Sequence, residues 1–172
     1  MKILVLNGSP RENGNTAAMV KAYTEGAIEA GNDVTVFEVC KKTIAGCLGC
    51  EYCHQKGNGE CVQKDDMQEL YALLKEAEML VIASPIYYFG FSAQLQAAIH
   101  RTYAVGIPEK LKKAALILSS GSDDVYDGAV YEYKKICEWM KLTDMGIITA
   151  HGAENGSSEK LNEAHALGKN SL

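Results

Sequence analysis

Ile3-Leu4-Val5-Leu6 form an unbroken apolar run that stops at Asn7-Gly8-Ser9-Pro10. A short run without polar alternation predicts a parallel strand over residues 2–6, buried on both faces. Over residues 15–30 the apolar spacing widens to a helical period. Ala17, Val20, Thr24, Ala27 and Ile28 share one face, and Gly31-Asn32 ends the helix. Residues 33–39 ("DVTVFEV") are β-branched and alternate, which suits a strand nearer a sheet edge. Three more apolar runs predict strands at 79–85, 114–120 and 146–150, the first stopped by Pro85. Between them lie three helical patterns. One starts at Asp65 or Asp66, with Gln68 or Glu69 at the capping-box position, and presents Met67, Leu70, Leu74 and Ala77. The next starts at Ser92 and presents Leu95, Ala98, Ile99 and Thr102. The third covers 129–144, with Val130, Tyr133, Cys137 and Met140 inward. A final helix starts at Ser157 or Ser158.

Five apolar strands alternating with helices predict a doubly wound α/β sheet in a single domain over residues 1–172. Residues 40–66 are too long for a simple loop and read as a cysteine-rich insertion. The pattern leaves two strand orders open: a dinucleotide half-fold, or the flavodoxin-like order 2-1-3-4-5. In both, ligands sit outside the carboxyl ends of the strands. The net charge of −5 argues against nucleic acid or an anionic membrane as the main partner. No stretch is long and apolar enough to span a bilayer. Met1-Lys2 leads directly into a strand rather than a signal-peptide core, so the expected location is the cytoplasm.

Three strand ends carry unusual residues. After the first comes Gly8 to Thr16. Small residues there let backbone N–H groups turn inward, the following helix adds its positive end, and Ser9, Arg11, Asn15 and Thr16 offer donors. This suits a terminal phosphate; a plain polar turn is the alternative. The spacing is not G-x-G-x-x-G, which disfavours a dinucleotide site. After the third strand, Tyr87, Tyr88, Phe89 and Phe91 bring four of the twelve Tyr and Phe residues into one short loop. They could flank a flat ring, with Gly90 giving room for backbone approach, or pack in a subunit interface or core. After the fourth comes Ser119-Ser120-Gly121-Ser122. In the flavodoxin-like order these three loops converge. No Ser-His-Asp or paired-carboxylate arrangement is readable. His54 reads as a solvent-facing loop residue, His100 and Arg101 as helix surface, and Trp139 as core or interface.

On "NGSPRENGNT", "SPIYYFGFSAQLQAAIHR" and "GECVQKDDM" the chain resembles the NAD(P)H-dependent FMN reductase-like flavoproteins, including the iron-sulfur flavoproteins. The resemblance implies a flavodoxin-like five-stranded parallel sheet with helices on both faces, and FMN as cofactor. It places the phosphate on Ser9, Arg11, Asn15 and Thr16, with Asn13 in the same loop. It places the flavin ring on Pro85, Ile86, Tyr87, Tyr88, Phe89 and Gly90, with Ser120 and Gly121 closing over ring or ribityl chain. It further implies an oxidoreductase taking electrons from NAD(P)H to a flavin, quinone or other small acceptor, in a homodimer or homotetramer. A non-enzymatic electron carrier docking to a redox protein is the alternative.

Cys47, Cys50, Cys53 and Cys61 follow C-x2-C-x2-C-x7-C, with Cys40 and Cys137 apart. The first three match the opening of a bacterial ferredoxin run. Four thiolates also suit zinc, Cys47 and Cys50 could form a redox dithiol, or the loop could merely pack. The resemblance to iron-sulfur flavoproteins implies a [4Fe-4S] cluster on these four cysteines.

Overall fold

The computed structural model describes residues 1–171. Five parallel strands, β1 (Lys2–Asn7), β2 (Asp33–Glu38), β3 (Met79–Pro85), β4 (Lys113–Ser120) and β5 (Thr143–His151), form one sheet in the order β2-β1-β3-β4-β5. The flavodoxin-like order is therefore the correct one of the two. The central strands are buried on both faces, as their continuous apolar runs require, while β2 at the edge alternates.

The pleat sends alternate residues to two cores. Ile3, Val5, Met79, Val81, Ala83, Ala115 and Ile117 face α1 (Asn15–Glu29) and α6 (Ser158–Lys169). Leu4, Leu6, Leu80, Ile82, Leu116 and Leu118 face α3 (Met67–Glu76), α4 (Ala93–Arg101) and α5 (Asp127–Met140). A four-residue helix, α2 (Tyr52–Gln55), lies within the cysteine-rich segment. Helices α1 and α6 touch backbone to backbone. A Cβ on Gly26 would lie 2.1 Å from the His165 carbonyl oxygen, and one on Gly168 would lie 2.1 Å from that of Tyr23. Glycine at both places lets the two helices meet with no side chain between them.

Several boundaries differ from the pattern. Helix α5 stops at Met140, not residue 144, because Lys141 turns left-handed (φ 57°) and the Leu142 N–H bonds back to the Cys137 carbonyl. Strand β5 starts three residues early, at Thr143, and passes through a register shift against β4. Asp144 holds that irregularity, accepting from the Gly146 N–H (3.0 Å) and the Tyr133 hydroxyl (2.7 Å). Ser92 and Ser157 cap their helices through the Leu95 and Lys160 amides. The capping box expected at α3 does not form, because both aspartates bond elsewhere. Asp66 accepts from the Thr43 N–H (2.7 Å), and Asp65 accepts from the Ala45 N–H (3.1 Å), the Met67 N–H (3.2 Å) and Arg101.

These bonds close the neck of the long insertion. Residues 43–46 run beside 63–66, with Gln63 adding a bond to the Gly46 carbonyl (3.0 Å). The cysteines lie beyond the neck. The residue that locks it is Arg101, which is 1% exposed rather than on the helix surface. Its guanidinium grips Asp65 in a fork (2.8 and 3.1 Å) and reaches the Ala45 carbonyl (2.9 Å).

Candidate functional site: a cleft at the strand ends and a four-thiol pocket

At the carboxyl end of the sheet, Ser9, Arg11, Asn15, Thr16, Pro85, Ile86, Tyr87, Ser120 and Gly121 line one cleft of about 320 Å³. The three loops singled out in the sequence therefore meet. A depression of similar volume (about 340 Å³) lies at the opposite end, beside Lys2, Asp33 and Leu73. Ligands in open α/β sheets bind outside the carboxyl ends, so the first cleft is the candidate site.

The first loop is pre-shaped. Asn7 Oδ1 accepts the Ser9 N–H (3.1 Å), and the Ser9 hydroxyl accepts the Arg11 N–H (3.2 Å). The N-cap of α1 is Gly14, which supplies no side-chain acceptor. Among the described residues, the Asn15, Thr16 and Ala17 amides have no protein acceptor. Three free N–H groups at a helix start, with the exposed Arg11 beside them, fit a phosphate. The Thr16 hydroxyl is spent differently. It shares a proton with Ser119 Oγ at 2.7 Å and ties the start of α1 to the end of β4.

Asn13, Tyr88, Phe89 and Gly90 are outside the cleft lining. Tyr87 and Gly90 exchange backbone bonds (3.0 and 3.2 Å), so Tyr88 and Phe89 form a two-residue tip. Both tip residues are left-handed (φ 51° and 69°), which bulky side chains adopt only at a cost. The geometry throws the Tyr88 ring outward, 98% exposed. A Cβ on Gly90 would meet no protein atom within 4 Å, and the Gly90 N–H closes the turn on the Tyr87 carbonyl.

Sequence reasoning missed Gly152 and Asn155 in this lining, and gave no individual role to Gly14 or Ser119, which lie in the loops it singled out. Asn155 donates to the Ser120 carbonyl (2.6 Å), while its buried Oδ1 has no hydrogen-bond partner. An orphaned acceptor beside the cleft suits a ligand rich in hydroxyls. The end of β5 also faces the cleft, which is the signal that could have found Gly152 and Asn155. Phosphate-ready amides, Tyr87, Ile86 and this acceptor in the lining of one cleft fit FMN.

The cysteines gather at a second place. Cys47, Cys50, Cys53 and Cys61 all line one small pocket of about 20 Å³ with Arg101 and Tyr103. All six cysteines are unbridged. Cys47 and Cys50 are exposed, and Cys53 and Cys61 pack against the core beside α3 and α4. Burial, then the neighbouring Cys61 and Glu51 charges, push the Cys53 thiol above its ordinary value. Burial also opposes ionisation of Cys61, but the Gln63 N–H, the Tyr71 hydroxyl and the Arg101 guanidinium outweigh it and hold that thiol below the ordinary value. Among the described residues no three ligating side chains converge closely enough to hold a metal ion. The donor set nevertheless fits a thiolate-ligated cluster: four thiols face one pocket, with a buried cation at its wall. His54 beside them is tied down, its Nε2 at 2.8 Å from the Tyr103 carbonyl oxygen. Trp139 is half exposed on α5 rather than core.

The profile of the NADPH-dependent FMN reductase family matches residues 1–154. The chain belongs to that family. Membership in the NADPH-dependent FMN reductase family makes it an FMN-dependent oxidoreductase. An iron-sulfur flavoprotein of Archaeoglobus fulgidus is 32% identical over 98% of this chain and 77% of its own length. An iron-sulfur flavoprotein of Methanocaldococcus jannaschii is 37% identical over 61% of this chain, a match that spans 52% of that relative. Among solved structures, an NAD(P)H:quinone oxidoreductase from Methanothermobacter marburgensis has a TM-score of 0.75 at 17% identity, covering 100% of this chain and 99% of the other. An azoreductase from Bacillus anthracis has a TM-score of 0.74 at 15% identity, covering 98% and 99%. Identities this low show the shared fold. No helix among the described residues is long and apolar enough to cross a membrane.

Proposed function

We propose that the protein transfers electrons from NAD(P)H to a flavin, quinone or other small acceptor, with FMN in the strand-end cleft and a [4Fe-4S] cluster on Cys47, Cys50, Cys53 and Cys61. One observation carries the flavin site: the loops after β1, β3 and β4 line a single cleft whose wall includes a helix start with free amides. FMN, when bound, supplies the hydride and single-electron chemistry, and the protein supplies placement and electrostatics. The Asn15, Thr16 and Ala17 amides and Arg11 would bind the phosphate. Asn155 Oδ1 would accept from a ribityl hydroxyl. Pro85, Ile86 and Tyr87 would bound the ring, with the Ser120–Gly121 backbone opposite. No side-chain acid or base is required.

The cluster reading rests on the four-thiol pocket, on the spacing of the run, and on the iron-sulfur flavoproteins among the relatives. It favours onward transfer to a redox protein as a second outlet, to which the acidic net charge of −5 would suit a basic partner. The exposed aromatic turn beside the cleft supports a homodimer or homotetramer, and six unbridged cysteines support a reducing compartment such as the cytoplasm. The test is anaerobic purification followed by absorbance, flavin analysis and iron assay. The expected result is one FMN and about four iron atoms per chain, with the flavin bleached rapidly by NADPH or NADH in stopped flow. A colourless protein that takes up no FMN would overturn the reading. Bound FMN without iron would remove the cluster alone.

A further inference from the structure

Arg101 is a buried cation that the flavin cleft does not use. A guanidinium has five N–H donors. Nη1 gives to the Ala45 carbonyl and to Asp65 Oδ2, Nη2 gives to Asp65 Oδ1, and Nε gives to the Tyr71 hydroxyl (3.4 Å). Tyr71 in turn donates to the Arg101 carbonyl (3.1 Å). Four donors are thus placed. The second Nη2 N–H has no oxygen acceptor among the described residues, and the guanidinium lines the same pocket as the four cysteines. Arg101 is locked from the far side by Asp65, whose side chain is 14% exposed.

We propose that Arg101 sets the reduction potential of the group held by the four cysteines, its charge and its remaining N–H favouring the reduced, more negative state. This rests on the cluster reading given above. Hydrogen bonds to the sulfurs and the local charge are established levers on cluster potentials, and both act strongly where water is excluded. Asp65 opposes the effect, since its carboxylate cancels part of the guanidinium charge while aiming the fork. The pair therefore makes a signed prediction. Removing the cation lowers the potential, and removing the anion while keeping its shape raises it. A role confined to pinning the insertion neck predicts no such opposition, because either change would loosen the same knot.

The experiment is an anaerobic titration of the iron-loaded holoprotein with dithionite, following the cluster by electron paramagnetic resonance and the flavin by absorbance. Arg101→Gln is expected to lower the cluster midpoint by at least a tenfold change in the one-electron equilibrium, 59 mV. Asp65→Asn is expected to raise it. Arg101→Lys, which keeps the charge and loses the fork, is expected to fall between wild type and Arg101→Gln. Should Arg101→Gln not fold, Arg101→Lys and Asp65→Asn decide between the two roles. Unchanged midpoints, or shifts of the same sign in the arginine and aspartate variants, would overturn the inference while leaving the cluster standing. A wild-type protein that holds FMN and no iron would overturn the inference and the cluster together.

Discussion

Arg11 and Asp65 show how differently two charged residues can matter. Arg11 stands exposed at the lip of the cleft, beside amides that have no other acceptor. A charge-assisted contact is worth about 1.5–3 kcal/mol, and exposure argues for the low end. Arg11→Ala should therefore weaken FMN binding by roughly tenfold, read by flavin fluorescence during titration of the apoprotein. Asp65 is nearly buried against Arg101. Burial works to raise its pKa, but the Arg101 guanidinium and the Ala45 and Met67 amides prevail and hold it below the usual carboxylate value. The native state thus binds this proton less readily than the unfolded chain. The stabilisation is complete above the unfolded carboxylate pKa and is lost as pH falls through the depressed native value. Asp65→Asn should cost about 3–5 kcal/mol at neutral pH. It should also flatten the acid limb of a stability curve measured by urea unfolding between pH 6 and 3. A limb as steep as in wild type would show that other carboxylates dominate. At this scale the place of Ser9, Arg11, Asn15 and Thr16 in the cleft lining was legible from their position at a strand end, although the loop by itself read equally as a plain polar turn. Arg101 was not. A basic residue in the last turn of a helix ordinarily complements the helix dipole at the surface, and only the tertiary partner Asp65 shows otherwise.

Among the elements, α1 and α6 make the tightest demand. A methyl on Gly168 would collide with the Tyr23 carbonyl oxygen, and backbone cannot swing aside as a side chain can. Gly168→Ala should destabilise the protein by about 1–3 kcal/mol in chemical denaturation. Gly46→Ala is the matched control, since nothing lies within 4 Å of the added carbon, and it should change stability by under about 0.5 kcal/mol. The strands were readable from apolar runs, yet the end of α5 and the start of β5 were not. No glycine or proline marks the stop at Lys141, which takes the left-handed turn itself, and the Asp144–Gly146 irregularity broke the strand signal. The conformation of the aromatic turn was hidden for a related reason. Two-residue hairpin tips with both residues left-handed normally announce themselves as Asn-Gly or Asp-Gly. Here Tyr88-Phe89 occupies the tip, so the sequence did not announce a hairpin turn that holds two exposed rings beside the cleft lining.

For the molecule as a whole, sequence and structure agree on the sheet, its order and the meeting of three loops at one end. The cofactor cleft could be foreseen because topology alone brings the ends of β1, β3 and β4 together. The end of β5 falls under the same argument, but Gly152 and Asn155 beyond it carry no motif that marks them, and Asn155 joins the lining beside Ser120, to whose carbonyl it donates. The cysteine segment lay between these cases: its spacing was plain, but its attachment was hidden. That attachment has an evolutionary consequence. The segment leaves and rejoins the scaffold through one closed neck, and beyond it Cys53, Cys61 and His54 only lean on the body, so it looks like an accessory that could be trimmed. Deleting it together with Asp65 would strand Arg101 in the interior without its counter-ion, a penalty of several kcal/mol. A descendant that sheds the thiols must change position 101 as well, so the two losses should travel together through any lineage.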